Sequence, residues 1–225
     1  MPDGLLALTP ATGPVPMFEL SEETEHVESP DRRQEILDGA ARLLAQRGIT
    51  GCTVRGIAEE VGILAGSLYY HFDSKDAIVE EIVAGYLAQL ADRCAEVVAT
   101  RTDGRTRLQE LVAGSLEVSH ANAAASDIYQ ANRSYFADDE RFARIRLLAA
   151  QVQHSWMDVI EAGIREGSFR GDTNKRVFHR YLRDAVFLSS RWFVPTETYL
   201  LADLAADISR IFLDGFTRVP EESTL

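Results

Sequence analysis

Between Pro30 and Pro195 the chain contains no proline, and this long stretch limits what it can fold into. Along it, apolar residues recur at the spacing of a helix face, whereas the alternation typical of a half-buried strand is absent. Proline breaks a helix because it lacks a backbone donor and its ring clashes with the preceding turn. The pattern therefore predicts an all-α protein of about nine helices.

Residues 53–75 show the spacing of two short helices joined by a tight turn. Ala58 is small where two helices must cross closely. Gly62, four residues later, stands where a helix ends in a left-handed residue. Leu68 follows as an apolar anchor, and Phe72 lies one helical turn beyond it. This spacing predicts a helix-turn-helix.

The outward face of the second of these helices indicates DNA recognition. Hydroxyl, aromatic and imidazole side chains can donate to phosphate oxygens or contact base edges, and small residues let the backbone approach the groove. Lys75, in the first turn of the next helix, is expected to face outward and bind phosphate. A helix-turn-helix that serves only as packing is the alternative. The candidate DNA-contacting residues are Thr53, Arg55, Ala65, Gly66, Ser67, Tyr69, Tyr70, His71 and Lys75.

These residues resemble the DNA-binding domain of the TetR family of transcriptional repressors. The resemblance rests on Thr-Val-Arg at 53–55, on Gly62, on Leu-Tyr-Tyr-His-Phe at 68–72 and on Ser-Lys at 74–75. It covers roughly residues 30–90. It implies a three-helix reader that binds a palindromic operator and a six-helix sensor that binds a small-molecule effector.

The same resemblance implies a homodimer. The last two helices of each subunit, predicted over 173–193 and 198–217, would form a four-helix bundle across a two-fold axis. Effector binding in the sensor would change the spacing of the two readers and lower the affinity for double-stranded operator DNA.

Two positions depart from the family pattern. Gly56 replaces the usual acidic residue, which costs about 1 kcal/mol of helix propensity relative to alanine. Ala77 stands where a glutamate would complete a capping box with Ser74. Neither residue lies on the predicted reading surface.

Charge is distributed unevenly along the chain. The net charge is −12, yet the first thirty residues contain six acidic residues and no lysine or arginine, whereas residues 31–75 carry equal numbers of both signs. An acidic protein of this kind is expected to bind DNA through a small footprint. We interpret residues 1–29 as a disordered acidic tail, residues 30–90 as the DNA-binding domain and residues 91–225 as the ligand-binding and dimerisation domain.

Composition points away from secreted, membrane and catalytic classes. Cys52 and Cys94 form no disulfide framework, which suits a reducing cytosol, and each is expected to be a small buried residue. No apolar run reaches the roughly 18 residues that a membrane helix needs. The five histidines are scattered, and no phosphate loop or nucleophile motif is present. We expect a cytoplasmic protein without metal, cofactor or catalytic site, with a helical enzyme or an architectural dimer as the alternative.

The predicted helix over 173–193 carries a candidate ligand site. Arg183 and Phe187 are one turn apart, as are Phe187 and Arg191, and Trp192 follows. Arginine and an aromatic on one helix face suit an anionic ligand with a planar or apolar part. Dimer packing, with Arg183 paired to an acidic neighbour, is the alternative. The candidate ligand-binding residues are Arg183, Phe187, Arg191, Trp192, Tyr129 and Trp156.

Three stretches, 62–69, 166–170 and 183–192, resemble one actinobacterial branch of the family more narrowly. That branch represses the lower pathway, which degrades the last rings of cholesterol. The resemblance implies release from DNA by a coenzyme A thioester of a steroid-ring fragment, with Arg183 at the CoA phosphates and Phe187 packed against the CoA moiety. Phe187 stands where that branch has a tryptophan. A repressor that senses a different apolar ligand is the alternative.

Overall fold

A computed structural model of the chain describes residues 30–215. The predicted all-α class is confirmed, because these residues form α-helices and no β-strand. The predicted tail over 1–29 lies outside the described residues. In chain order the helices are α1 (Pro30–Arg47), α2 (Val54–Glu60), α3 (Ala65–His71), α4 (Lys75–Val98), α5 (Gly104–Ala121), α6 (Ala123–Ala131), α7 (Ala143–Arg165), α8 (Lys175–Phe187) and α9 (Leu201–Asp214).

Local signals define the first three helices. Gly48 and Gly62 have φ of +74° and +68°, so both adopt the left-handed conformation that glycine tolerates at a helix end. Thr53 caps α2, since its hydroxyl accepts from the backbone N–H of Gly56 at 3.0 Å. Leu68 is buried beneath α3, with 1% of its surface exposed. The predicted helix-turn-helix therefore forms over α2 and α3.

Helix α4 joins this three-helix unit to the rest of the chain. Ser74 caps it by accepting from the N–H of Ala77 at 3.1 Å, so the cap forms without the glutamate of a capping box. Apolar side chains are buried along its whole length, and it packs most extensively against α7 and α5. Cys94 on α4 and Cys52 are both free and buried, as predicted. No helix within residues 30–215 has the length and apolarity needed to cross a bilayer.

The predicted helix over 173–193 is shorter in the structure. Helix α8 ends at Phe187, and a short 3-10 turn follows at Ser189–Arg191. The buried Ser189 hydroxyl donates to the carbonyl of Val186 at 2.6 Å, which replaces a helical backbone bond by a local side-chain bond. The prediction of one continuous helix to residue 193 is therefore wrong, and the next helix begins at Leu201 rather than near residue 198.

The ends of α5 and α7 approach each other closely. A Cβ added to Gly104 would lie 2.6 Å from the Cα of Gly163, and one added to Gly163 would lie 2.2 Å from the Phe169 ring. Glu166 joins the two ends, since its carboxylate accepts from the N–H of Gly104 at 3.0 Å and from Arg107 at 2.6 Å. Only glycine fits this contact.

Gly163→Ala is expected to lower the free energy of unfolding by about 1–3 kcal/mol, because the added methyl group displaces the Phe169 ring. Gly85→Ala in the middle of α4 is the matched control, since a Cβ there meets nothing within 4 Å. The control is expected to gain up to about 1 kcal/mol from helix propensity. Urea unfolding of both variants measures the difference, and equal midpoints would contradict the close contact.

Candidate nucleic-acid interface and ligand cavity

The outward face of α3 is open to solvent, as predicted from its sequence. Tyr69 and Tyr70 are 56% and 63% exposed, which is unusual for aromatic residues on a short helix. Gly66 and Ser67 are also exposed beside them. Large polar aromatics presented in this way can contact phosphates and base edges without any change in the core beneath them.

His71, at the end of α3, is held more tightly than its neighbours. Its ring meets that of Tyr70 edge to face, with ring centroids 5.2 Å apart. The Nδ1 atom is buried and has no hydrogen-bond partner among the described residues. Of the two ring nitrogens, Nε2 is therefore the one that can meet a DNA group.

Arg33 on α1 fixes the carboxyl end of α3, and the sequence pattern did not indicate it. Its guanidinium donates to the carbonyl of His71 at 3.0 Å and to Glu81 on α4 at 2.6 Å. It also lies 4.1 Å above the Phe72 ring. A cation is well placed at a helix carboxyl end, where carbonyl groups lack partners. The orientation of α3 is thus tied to both α1 and α4.

Lys75 was predicted to face outward, but in the structure its side chain turns toward the protein. Its ammonium group donates to the carbonyls of Ile49 and Cys52, at 2.7 and 3.0 Å, and its side chain is partly buried. The expectation of an outward-facing Lys75 is therefore wrong, because this residue ties the start of α4 to the loop between α1 and α2. Arg55 and Thr53 remain exposed, and Arg55 pairs with Glu59 at 2.9 Å.

Lys75→Met is expected to lower the free energy of unfolding by about 1–3 kcal/mol, because two carbonyl groups lose their donor. Arg55→Met is the matched control. Its side chain is 84% exposed, so removal of its surface ion pair should change stability by at most about 0.5 kcal/mol. Thermal unfolding measures both. A Lys75 variant as stable as the control would contradict the structural role.

A cavity of about 270 Å³ lies among α4, α6, α7 and α8. Its walls include the fully buried Trp156 and the buried Phe187, and its rim carries the basic side chains of Arg133, Arg146 and Arg183. Four of the six candidate ligand residues line this cavity, although they come from three different helices: Tyr129, Trp156, Arg183 and Phe187.

Arg191 and Trp192 are not brought into this cavity. They follow the end of α8 at Phe187, so the helical spacing that would have aligned them with Arg183 is lost. Arg191 pairs instead with Asp127 on α6 at 3.3 Å. Trp192 is 65% exposed. The predicted ligand set is corrected to the four residues before the break.

A second cavity, of about 500 Å³, adjoins the first and is lined mainly by basic residues. The two share Gln153 and three basic residues, Arg133, His179 and Arg183. The outer cavity adds three further cations from α8: Lys175, Arg176 and Arg180. We call the two together the basic channel, which leads from an apolar floor to a cationic opening.

Burial sets the protonation of the groups inside the channel. It lowers the pKa of His179, and the nearby positive charges of Arg183 and Arg133 act in the same direction. Burial also raises the pKa of Tyr129, which keeps its hydroxyl protonated. At neutral pH the positive charge of the channel therefore comes from arginine and lysine side chains, which bind phosphate well.

Arg183 also donates to Asp184 at 2.6 Å, the neighbour expected in the dimer-packing alternative.

Comparisons with known proteins cover both the DNA-binding region and the C-terminal region. The family model described as bacterial regulatory proteins of the tetR family matches residues 36–82, and the tetracyclin repressor-like C-terminal domain matches residues 101–216. The transcriptional repressor KstR2 of Rhodococcus jostii is 41% identical over 82% of this chain and 90% of that protein. KstR2 of Mycobacterium tuberculosis is 36% identical over 83% of this chain and 94% of that protein.

Solved structures agree. The crystal structure of the probable transcriptional regulatory protein RHA5900 is 40% identical, covers 84% of this chain and 100% of that chain, and superposes with a TM-score of 0.77. The structure described as the ketosteroid transcriptional regulator KstR2 of Mycobacterium tuberculosis is 35% identical, covers 85% of this chain and 98% of that chain, and gives the same TM-score of 0.77.

The chain belongs to the TetR family and is a DNA-binding transcriptional repressor. Within that family it is related to the KstR2 repressors of Rhodococcus and Mycobacterium. The prediction of a transcriptional regulator rather than an enzyme is confirmed by these matches. Within residues 30–215 no group of three or more histidine, cysteine, aspartate or glutamate side chains could hold a metal ion.

Proposed function

We propose that this chain is a cytoplasmic homodimeric repressor that binds a palindromic operator and is released by a coenzyme A thioester. The DNA-binding domain spans residues 30–90, and the effector binds in the domain over residues 91–225. The acyl group of the effector is a fragment of a steroid ring system.

The observation that carries this proposal is the basic channel. A coenzyme A thioester combines an apolar acyl group with a long polar arm that ends in several phosphates. The inner cavity is lined by aromatic side chains such as Trp156 and Phe187, which suit the acyl group, while Arg133 and Arg183 stand where the polar arm would leave. The outer cavity then offers Lys175 and its neighbours on α8 to the phosphates.

The ring character of the acyl group rests on the relatives. One relative is described as a ketosteroid transcriptional regulator, and this chain matches 98% of its length. Aromatic walls favour a flat, rigid hydrocarbon, since aromatic faces gain most from contact with extended apolar surface. These two points favour a ring fragment over a flexible fatty acyl chain.

Exposed apolar residues on the last two helices support the homodimer. Val177 and Tyr181 lie one turn apart on α8 and are 48% and 66% exposed, and Ile211 on α9 is 52% exposed. Apolar residues gathered on neighbouring helices are typical of a surface that a second copy covers. A two-fold dimer would present two α3 helices to successive turns of the major groove, roughly 34–36 Å apart or slightly more.

A gel-shift experiment with the promoter DNA next to the protein's own gene tests the proposal. Three additions are compared: a bicyclic steroid-ring acid as its coenzyme A thioester, the same acid without coenzyme A, and coenzyme A alone. We expect only the thioester to release the DNA, because the channel needs both the apolar group and the phosphates. Equal release by the free acid would show that the effector is a different apolar ligand. Light scattering of the free protein tests the dimer.

A further inference from the structure

Leu64, the residue directly before α3, is the most exposed large apolar residue in the part of the chain that the structure describes, at 79%. Its backbone is fixed, since its carbonyl accepts from the N–H groups of Ser67 and Leu68 at 3.0 and 3.2 Å. Its side chain, by contrast, projects into solvent. Packing within the subunit therefore does not explain why a leucine stands here.

The position of Leu64 is one where this chain usually places a polar side chain. Thr53, Ser74, Asp103 and Asn174 each precede a helix, and each accepts from a backbone N–H of its first turn. Such caps satisfy donors that have no partner within the helix. Leu64 makes no side-chain bond of this kind. Leucine therefore makes the free protein less stable than a serine would, and it also exposes apolar surface to water.

Gly66, two residues further on, also lacks a reason within the subunit. A Cβ added there would meet nothing within 4 Å, and its φ is not positive. Alanine would suit a helix better at this place. The residue is exposed, like Ser67 beside it. The start of α3 thus combines a projecting apolar side chain with an open hollow, and neither stabilises the free protein.

The partner that meets this surface is DNA, because the chain is a DNA-binding repressor and α3 is the second helix of its helix-turn-helix. In such motifs the first residues of the second helix contact base edges in the major groove. Leu64 and Ser67 are three residues apart, so they lie along one edge of α3. Leucine has no donor with which to bind phosphate. The apolar group that base edges present in the major groove is the 5-methyl group of thymine.

We propose that Leu64 contacts the 5-methyl group of a thymine in the operator, and that Gly66 leaves room for the neighbouring base to approach the backbone of α3. Leu64 is then a specificity-determining residue that was absent from the DNA contacts predicted from the sequence. The inference goes beyond the proposed function, since it requires DNA binding through α3 and does not depend on the effector. The palindrome of the proposed function sets only the number of such thymines, one in each half-site.

A thymine scan of the operator tests the contact. In the duplex that footprinting locates beside the protein's own gene, each thymine in turn is replaced by deoxyuridine, which pairs identically and lacks only the methyl group. We expect one thymine in each half-site at which the replacement raises the operator Kd about fourfold. Leu64→Ser is expected to show no effect at that thymine, whereas Leu64→Met, which keeps an apolar side chain, retains the effect. Equal sensitivity of the serine variant and the parent would overturn the proposal, as would an operator without a sensitive thymine.

Stability and operator affinity are expected to change in opposite directions in Leu64→Ser, which separates recognition from a structural role. Serine supplies the missing cap, so the melting temperature should rise. The operator Kd should also rise, by at least about tenfold, because both subunits lose the contact. Leu147→Ala, which removes an exposed leucine from α7, is the control and should leave the Kd unchanged. A serine variant that binds operator as the parent does, or that loses stability together with affinity, would contradict the proposal.

Other causes of the exposed leucine give distinguishable results. If Leu64 covered a second copy of the chain, Leu64→Ser would change the molecular mass in light scattering while its sensitivity to deoxyuridine stayed that of the parent, and the proposal would fail. If the DNA beside the gene were not bound, the proposed operator would be wrong, and a duplex selected from random sequences would take its place in both measurements. Failure of the thioester to release DNA would leave both measurements unchanged, because neither contains effector.

Discussion

Replacement of Arg183 by methionine is expected to leave the protein dimeric and bound to its operator, while release requires roughly ten to a hundred times more thioester. Arg183 lines both parts of the basic channel, and its side chain is only 23% exposed. A hydrogen bond to a charged group contributes about 1.5–3 kcal/mol, and methionine keeps the bulk without the charge. Titration of thioester into the protein–DNA complex, followed by fluorescence anisotropy, measures the change.

Arg170→Met is the control for this experiment. Arg170 belongs to the same domain but lies outside the basic channel, in the loop before α8, where it is 80% exposed and pairs with Asp172. Release of the Arg183 variant at the same thioester concentration as the control would place the phosphate site elsewhere. A monomeric Arg183 variant would instead support the alternative in which Arg183 serves the dimer contact.

Replacement of Tyr70 by alanine is expected to abolish most operator binding without any change in helix content, melting temperature or dimerisation. Tyr70 is 63% exposed, and its ring packs only against the edge of the neighbouring His71 ring among the aromatic contacts of the described residues. A specific contact to a base edge contributes about 1–3 kcal/mol, and a dimer loses it twice, so the operator Kd should rise by at least about thirtyfold. Anisotropy with labelled operator, together with circular dichroism, measures both properties.

Leu147→Ala is a suitable control, since Leu147 is an equally exposed apolar residue, at 61%, on α7. It is expected to bind operator as the parent does. Comparison with Lys75→Met is also informative, because that variant should lose stability together with affinity. A Tyr70 variant that melts earlier, or that binds operator normally, would remove this residue from the reading surface.

The sequence predicted the features of this protein that depend on neighbours along the chain. Helix faces follow from apolar spacing, and the ends of α1 and α2 follow from Gly48 and Gly62, because one residue's conformation decides each of them. The exposure of Tyr70 follows in the same way from the position of Leu68 on the opposite face.

Features that depend on partners from distant parts of the chain could not be predicted. Lys75 was placed on the correct turn, but the carbonyls that hold it belong to a loop more than twenty residues earlier. Arg33 was not singled out because its partners lie on α3 and α4. The end of α8 was missed although its cause is local, because Ser189 fits a helical pattern equally well and the sequence does not show that its hydroxyl bonds to the Val186 carbonyl three residues away.

Helix α4 also bears on how such regulators can be recombined. The reader is attached to its first two turns through Lys75 and Glu81, and the sensor is attached to its second residue, Asp76, as well as to its buried face. A hybrid regulator joined just before Lys75 would therefore pair a reader with foreign attachment residues. Effector binding in the sensor would then no longer change the affinity of the reader for DNA. Exchange of the reader together with the first two turns of α4, residues 75–81, keeps the contacts that Lys75 and Glu81 make to the reader, while the rest of the helix, which packs against α5 and α7, stays with its own sensor. The functional unit for building biosensors from this scaffold thus ends after Glu81.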